Sequence, residues 1–126
     1  MSGRIILLCE DDPVIAFDLS SQIAARGDTV LGPVSSAEAA LELADRHRLD
    51  GAVIDLNLAD GRSGPAIARE MHGRGTPILL CSGLSLAPEE LKDIKHIYVR
   101  KPFGQDALAD CLDSMFATRA GAVAAV

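Results

Sequence analysis

A chain of 126 residues, 48% hydrophobic and 24% charged, has room for one domain with a real core and nothing that suggests disorder over most of its length. Its net charge of −6 and scattered Lys and Arg argue against direct nucleic-acid binding, which needs clustered cations. No stretch resembles a secretory leader and no apolar run approaches about 18 residues, so no membrane association and a cytoplasmic location are expected.

Arg4 to Cys9 is a continuous apolar run that ends in Glu10-Asp11-Asp12 and then Pro13. That pattern is a strand running into a helix, with Asp12 as N-cap and Pro13 as first helical residue. Ile15, Leu19 and Ile23 share one helix face, and Gly27 ends the helix. Thr29 to Val34 is the next strand. Ser35-Ser36-Ala37-Glu38 matches a capping box, and Ala37, Ala40, Leu41 and Ala44 recur at helical spacing after it.

Ala52 to Ile54 is apolar without alternation, as in a strand buried on both faces, and the run stops at the carboxylate of Asp55. Asn57, Asp60 and Gly61 are turn formers that carry the backbone out of the sheet. After the Gly61 to Gly64 loop, Pro65 to His72 reads as a short helix closed by Gly73 and Gly75. Ile78 to Cys81 is a buried strand leading to Ser82-Gly83. Pro88 to Ile94 supplies only about two helical turns with few core-facing apolar residues, so the segment from Gly83 to Ile97 is expected to be mobile. Ile97-Tyr98-Val99 is the last strand and leads into Arg100-Lys101-Pro102-Phe103. Leu108, Cys111, Leu112, Met115 and Phe116 then mark the core face of a final helix. The domain is expected over residues 1–118, with residues 119–126 as a flexible tail. Cys9, Cys81 and Cys111 sit in apolar runs without paired spacing and read as reduced core residues.

Strands alternating with helices imply βαβ units, and right-handed crossovers put every strand's carboxyl end on one edge of a parallel sheet. That edge collects Glu10, Asp11, Asp12, Asp55, Ser82 and Lys101. Carboxylates converging in one crevice repel one another unless a cation is present, and Mg2+ is the hard, oxygen-seeking ion such a set suits. A lysine at the same place is a point charge for a phosphoryl group, and Asp can itself be the nucleophile of phosphoryl transfer.

Glu10-Asp11 after the first strand, Asp55, Ser82 closing the fourth strand, Tyr98 in the fifth and Lys101-Pro102-Phe103 together closely resemble the receiver domain of two-component response regulators. The resemblance runs from about Ile5 to Phe116. It implies an α/β, doubly wound, flavodoxin-like fold with a five-stranded parallel sheet in the order 2-1-3-4-5. It also implies that Asp55 accepts a phosphoryl group from the phosphohistidine of a histidine kinase or a phosphotransfer protein. Asp11, Asp55 and the backbone carbonyl of Asn57 would ligate Mg2+, with Glu10 acting through a metal-bound water. Lys101 would pair with a phosphoryl oxygen across a cis bond to Pro102, and Ser82, followed by Tyr98, would respond as the switch.

On this reading the chain is a stand-alone receiver, a self-phosphorylating and self-dephosphorylating switch rather than a conventional enzyme. It would act through an unknown downstream protein or as a phosphate shuttle or sink, and a homodimer is compatible with it. Asn57-Leu58-Ala59 replaces the Met-Pro seen in many members, and Ser82-Gly83 replaces Thr-Ala. Other classes fit less well. A pseudo-receiver that binds protein without cycling phosphate would not need the acids and Lys101. A phosphatase of the haloacid dehalogenase type needs a second Asp where Asn57 stands, and a flavodoxin-like carrier needs amide and hydroxyl donors where Glu10-Asp11-Asp12 stand.

Overall fold

The computed structural model describes residues 3–84 and 86–120. The strands are β1 (Ile5–Cys9), β2 (Thr29–Val34), β3 (Gly51–Asp55), β4 (Ile78–Ser82) and β5 (Ile97–Arg100). Four helices accompany them: α1 (Pro13–Ala25), α2 (Ala37–Arg46), α3 (Gly64–Gly73) and α4 (Gln105–Ala120). All pairings are parallel and the sheet order is β2-β1-β3-β4-β5, the order expected from the sequence.

The two-residue strand period divides the core in two. Leu7, Cys9, Ala52, Ile54, Ile78 and Leu80 face α2 and α3, where Ala40, Ala44, Ile67, Ala68 and Met71 meet them. Ile6, Leu8, Val53, Leu79 and Cys81 face α1 and α4, against Leu19, Ile23, Leu108, Leu112, Met115 and Phe116. Since β3 is buried along its whole length, its apolar side chains fix the register that delivers Asp55 to the edge.

Helix ends follow the local chemistry, with one shift. Asp12 caps α1, its Oδ1 accepting from the Val14 and Ile15 amides, and Gly27 leaves the helix at φ +90°. At α2 the N-cap is Ser36 rather than Ser35, with Ser36 Oγ accepting from Ala39 N–H at 3.2 Å. Glu38 is then one position too early for a capping box. The reason lies elsewhere in the chain, because Asp60 takes the Ala37 amide.

One expectation is corrected. The Pro88 to Ile94 helix is a 3-10 turn over Glu89–Leu91, yet it is anchored: Leu91 is 0% and Ile94 4% exposed. Pro88, Leu91 and Ile94 recur every third residue, which suits three residues per turn and puts all three inward. Burying two such side chains is worth about 3–6 kcal/mol, enough to hold a turn whose own bonds would not. Arg69 of α3 adds bonds to the Glu90 carbonyl and to Asp93, and Arg62 pairs with Glu90. At the other end of the domain, α4 runs to Ala120. Residues 121–126 lie outside the described residues. Among the cysteines, Cys9 and Cys81 are buried and Cys111 is only partly so.

Candidate functional site

Parallel register brings the chemistry to one edge. Cys9 pairs with Ile54 and Asp55 with Cys81, so the residue after β1 and the last residue of β3 end side by side. Ser82 pairs with Arg100, and the Lys101 amide donates to the Ser82 carbonyl at 2.7 Å, which carries the β4–β5 ladder one step further. Lys101 is thereby turned toward Asp55, and its peptide bond to Pro102 is cis.

Carboxylate oxygens of Glu10, Asp11 and Asp55 lie within 4.8 Å of one another. The Lys101 ammonium is 2.8 Å from both Glu10 Oε1 and Asp55 Oδ2. One cation thus faces three acids, and the surplus negative charge makes the pocket fit a hard divalent ion. The electrostatics show the same imbalance. Burial pushes the Glu10 carboxyl above its ordinary range and the charge of Asp55 adds to the push, against hydrogen bonds from Lys101 and the Asp12 amide. Burial also opposes the Lys101 ammonium, but hydrogen bonds to Asp55 and Glu10 outweigh it, leaving the lysine above its ordinary value. Beside them, burial raises the Cys81 thiol to about 12, so it stays neutral next to Asp55.

The remaining residues singled out from the sequence are arranged around this centre. Asn57 is exposed, and its N–H donates to Asp55 Oδ1 at 3.3 Å. Ser82 is buried, its Oγ accepting from the Leu84 amide at 3.2 Å. The Tyr98 hydroxyl donates to the Leu84 carbonyl at 2.6 Å. Ser82 and Tyr98 therefore meet through the backbone of Leu84, while Glu10, Asp11, Asp55 and Lys101 meet directly.

Sequence reasoning missed Gly64. A Cβ there would lie 2.4 Å from the Asp55 carbonyl oxygen and 2.4 Å from Leu56 Cα, so α3 begins in contact with the backbone that carries Asp55. Its N–H also donates to the Leu56 carbonyl at 3.0 Å. The available signal was a glycine in the first turn of a helix, where only a close approach rewards it.

The family model for the response regulator receiver domain matches residues 6–113. The chain belongs to that family. Among relatives of this receiver domain, the phyllosphere-induced regulator PhyR of Methylorubrum extorquens is 37% identical over 60 residues, 47% of this chain and 22% of PhyR. The transcriptional regulatory protein PdtaR of Mycobacterium tuberculosis is 27% identical over 114 residues, 87% of this chain and 55% of PdtaR. The chain therefore spans at most about half the length of these relatives. Among solved structures, SdrG from Sphingomonas melonis Fr1 superposes with a TM-score of 0.76 at 28% identity, over 91% of this chain and 98% of SdrG. The receiver domain of sensor histidine kinase PA1611 from Pseudomonas aeruginosa PAO1 gives 0.76 at 25% identity, over 92% and 99%, and has a magnesium ion coordinated in its active site cleft. No helix among the described residues is long and apolar enough to cross a membrane.

Proposed function

We propose that this receiver domain takes a phosphoryl group onto Asp55 in a Mg2+-dependent reaction and signals by protein contact. The observation that carries the reading is the Lys101 ammonium 2.8 Å from both Asp55 and Glu10, in a pocket where three carboxylates converge. Asp11, Asp55 and the Asn57 carbonyl would hold Mg2+, with Glu10 behind a bound water. The ion supplies charge neutralisation for the incoming phosphoryl oxygens.

An electron pair on an Asp55 carboxylate oxygen forms the O–P bond as the N–P bond of a phosphohistidine breaks and the imidazole leaves with its electrons. Lys101 exchanges a carboxylate partner for a phosphoryl oxygen. It is a positioned point charge, so it needs no proton transfer to act. Ser82 can give its hydroxyl to the phosphoryl group at the loss of one bond to Leu84, and Leu84 links that change to Tyr98. The donor is a histidine kinase or phosphotransfer protein, and a further protein in the cytoplasm reads the result. The chain is a switch that accepts and loses phosphate, not a conventional enzyme. Incubation with Mg2+ and acetyl phosphate should add one phosphoryl group by intact mass, and Asp55→Asn should add none. Equal labelling of both proteins would move the acceptor elsewhere.

A further inference from the structure

We propose that Asp60 is a positioning residue for the acid site, clamping the loop after Asp55 onto the first turn of α2 so that Asn57 is held for the cation. The proposal rests on the phosphoryl-acceptor reading above. The loop 56–63 begins at the carboxylate and closes on itself at once. Leu58 and Gly61 exchange both backbone hydrogen bonds, at 2.8 and 3.0 Å, and Gly61 sits at φ +109°, which glycine alone adopts without strain. Leu58 is buried in the core beneath α2 and α3. Asn57 is therefore caught between Asp55, two residues before it, and a closed turn directly after it.

The turn fixes its own shape, but its orientation relative to Asp55 depends on what its tip holds. At the tip, Asp60 Oδ2 accepts from the Ala37 amide at 2.9 Å and Oδ1 from the Ser63 hydroxyl at 2.5 Å. Beside it, the Ala59 amide donates to the Ser35 carbonyl at 2.9 Å. Ser36 serves only the Ala39 amide of α2, so the Ala37 amide, another first-turn donor without an intrahelical partner, takes its acceptor from Asp60. Asp60 is exposed and buries nothing. What its three-way attachment accomplishes is to tie the loop, α2 and the start of α3 together, with the favourable polarity of an anion at a helix N-terminus. The same two donors hold its carboxyl below the ordinary aspartate range.

Asp60→Ala and Asp60→Asn test this in the whole chain, since Asn retains an acceptor oxygen for the Ala37 amide. Three quantities are read: Mg2+ affinity from an NMR titration with the metal alone, the rate of labelling by acetyl phosphate at saturating Mg2+, and amide exchange at Ala37, Leu58 and Gly61. Asp60→Ala should weaken Mg2+ binding about fivefold, the effect of losing one cap on the population of the competent loop. Saturating Mg2+ should restore its labelling rate, exchange at the three amides should quicken, and Asp60→Asn should stay within about twofold of the parent. Should Asp60→Ala not fold, Asp60→Glu, which keeps the charge but moves the oxygens by a methylene, has to show the same loss of affinity. If the parent binds Mg2+ and is labelled and the variants match it, the role of Asp60 is refuted while the acceptor reading stands. If the parent neither binds Mg2+ nor is labelled, the acceptor reading falls and this one with it.

Discussion

Two loops border the acid edge and are built differently. The one after β3 is tied by backbone bonds at every step: Leu58 with Gly61, Ala59 with Ser35, Gly64 with Leu56, and Ala37 to the side chain of Asp60. Among the described residues, the one after β4 is held at Leu84 by two hydroxyls, those of Ser82 and Tyr98, with Leu84 and Leu86 50% and 79% exposed. Beyond Ala87 the same connection becomes firm again, because Pro88, Leu91 and Ile94 enter the core. Bonds are concentrated where a carboxylate and a carbonyl must stay in place. The neighbouring loop depends on the serine that, under the proposed function, the phosphoryl group recruits, so a small change at the acid would free it.

Substitutions that attack the tight loop at its base should have the largest effect. Gly64→Ala forces a Cβ onto the backbone of Asp55 and Leu56, which cannot yield as a side chain tip would. A loss of about 3 kcal/mol or more in urea unfolding, together with loss of acetyl phosphate labelling, is expected. A variant as stable and as readily labelled as the parent would show that the close approach is dispensable. Next, Leu91→Ala should cost about 2–3 kcal/mol, near the low end for leucine truncation because a short turn can settle into the gap. Leu86→Ala, five residues earlier, should stay within about 0.5 kcal/mol. Equal losses would erase the boundary between the free and anchored halves of that connection. Tyr98→Phe removes one bond from an exposed carbonyl, about 0.5 kcal/mol, and should quicken exchange at Leu84 while leaving Leu58 and Gly61 unchanged.

Much of this was legible in the chain. Three buried runs, β1, β3 and β4, with the turn formers and acids after them, point to a covered parallel sheet and its acid edge, while the strand order follows from the resemblance to receiver domains, because β2 and β5 are only partly buried. Pro88 to Ile94 reads as a weak α-helix because an i, i+3 spacing fits an α-helix and a 3-10 turn alike, and two apolar residues are few unless both are buried, as Leu91 and Ile94 are. Ser35 and Ser36 are equivalent in sequence, and what separates them is Asp60, a contact 23 residues away. Gly64 looked like loop punctuation for the same reason, since the backbone it touches belongs to another element.

The smallest effect separates the loops by acidity. Asp60 lies below the ordinary aspartate value, chiefly through the Ser63 hydroxyl and then the Ala37 amide, and Asp93 does so through Arg69. A folded-state value below the unfolded one means that the folded chain binds the proton more weakly. The stabilisation is therefore complete above the unfolded value of about 3.9 and is lost as pH falls through the folded value. Protonating Asp93 releases Arg69 from a turn that Leu91 and Ile94 still hold in the core, with the Arg69 bond to the Glu90 carbonyl intact. Protonating Asp60 instead weakens the acceptor that the Ala37 amide depends on. In an NMR titration ahead of global acid unfolding, the Ala37 amide should shift with a midpoint below about 3.9 and the Leu91 amide, bonded to the Pro88 carbonyl, should not. Asp60→Asn should abolish the Ala37 shift. Parallel shifts at both amides, or a midpoint at or above the ordinary value, would mean that the loop after β3 owes nothing to the ionised carboxylate at its tip.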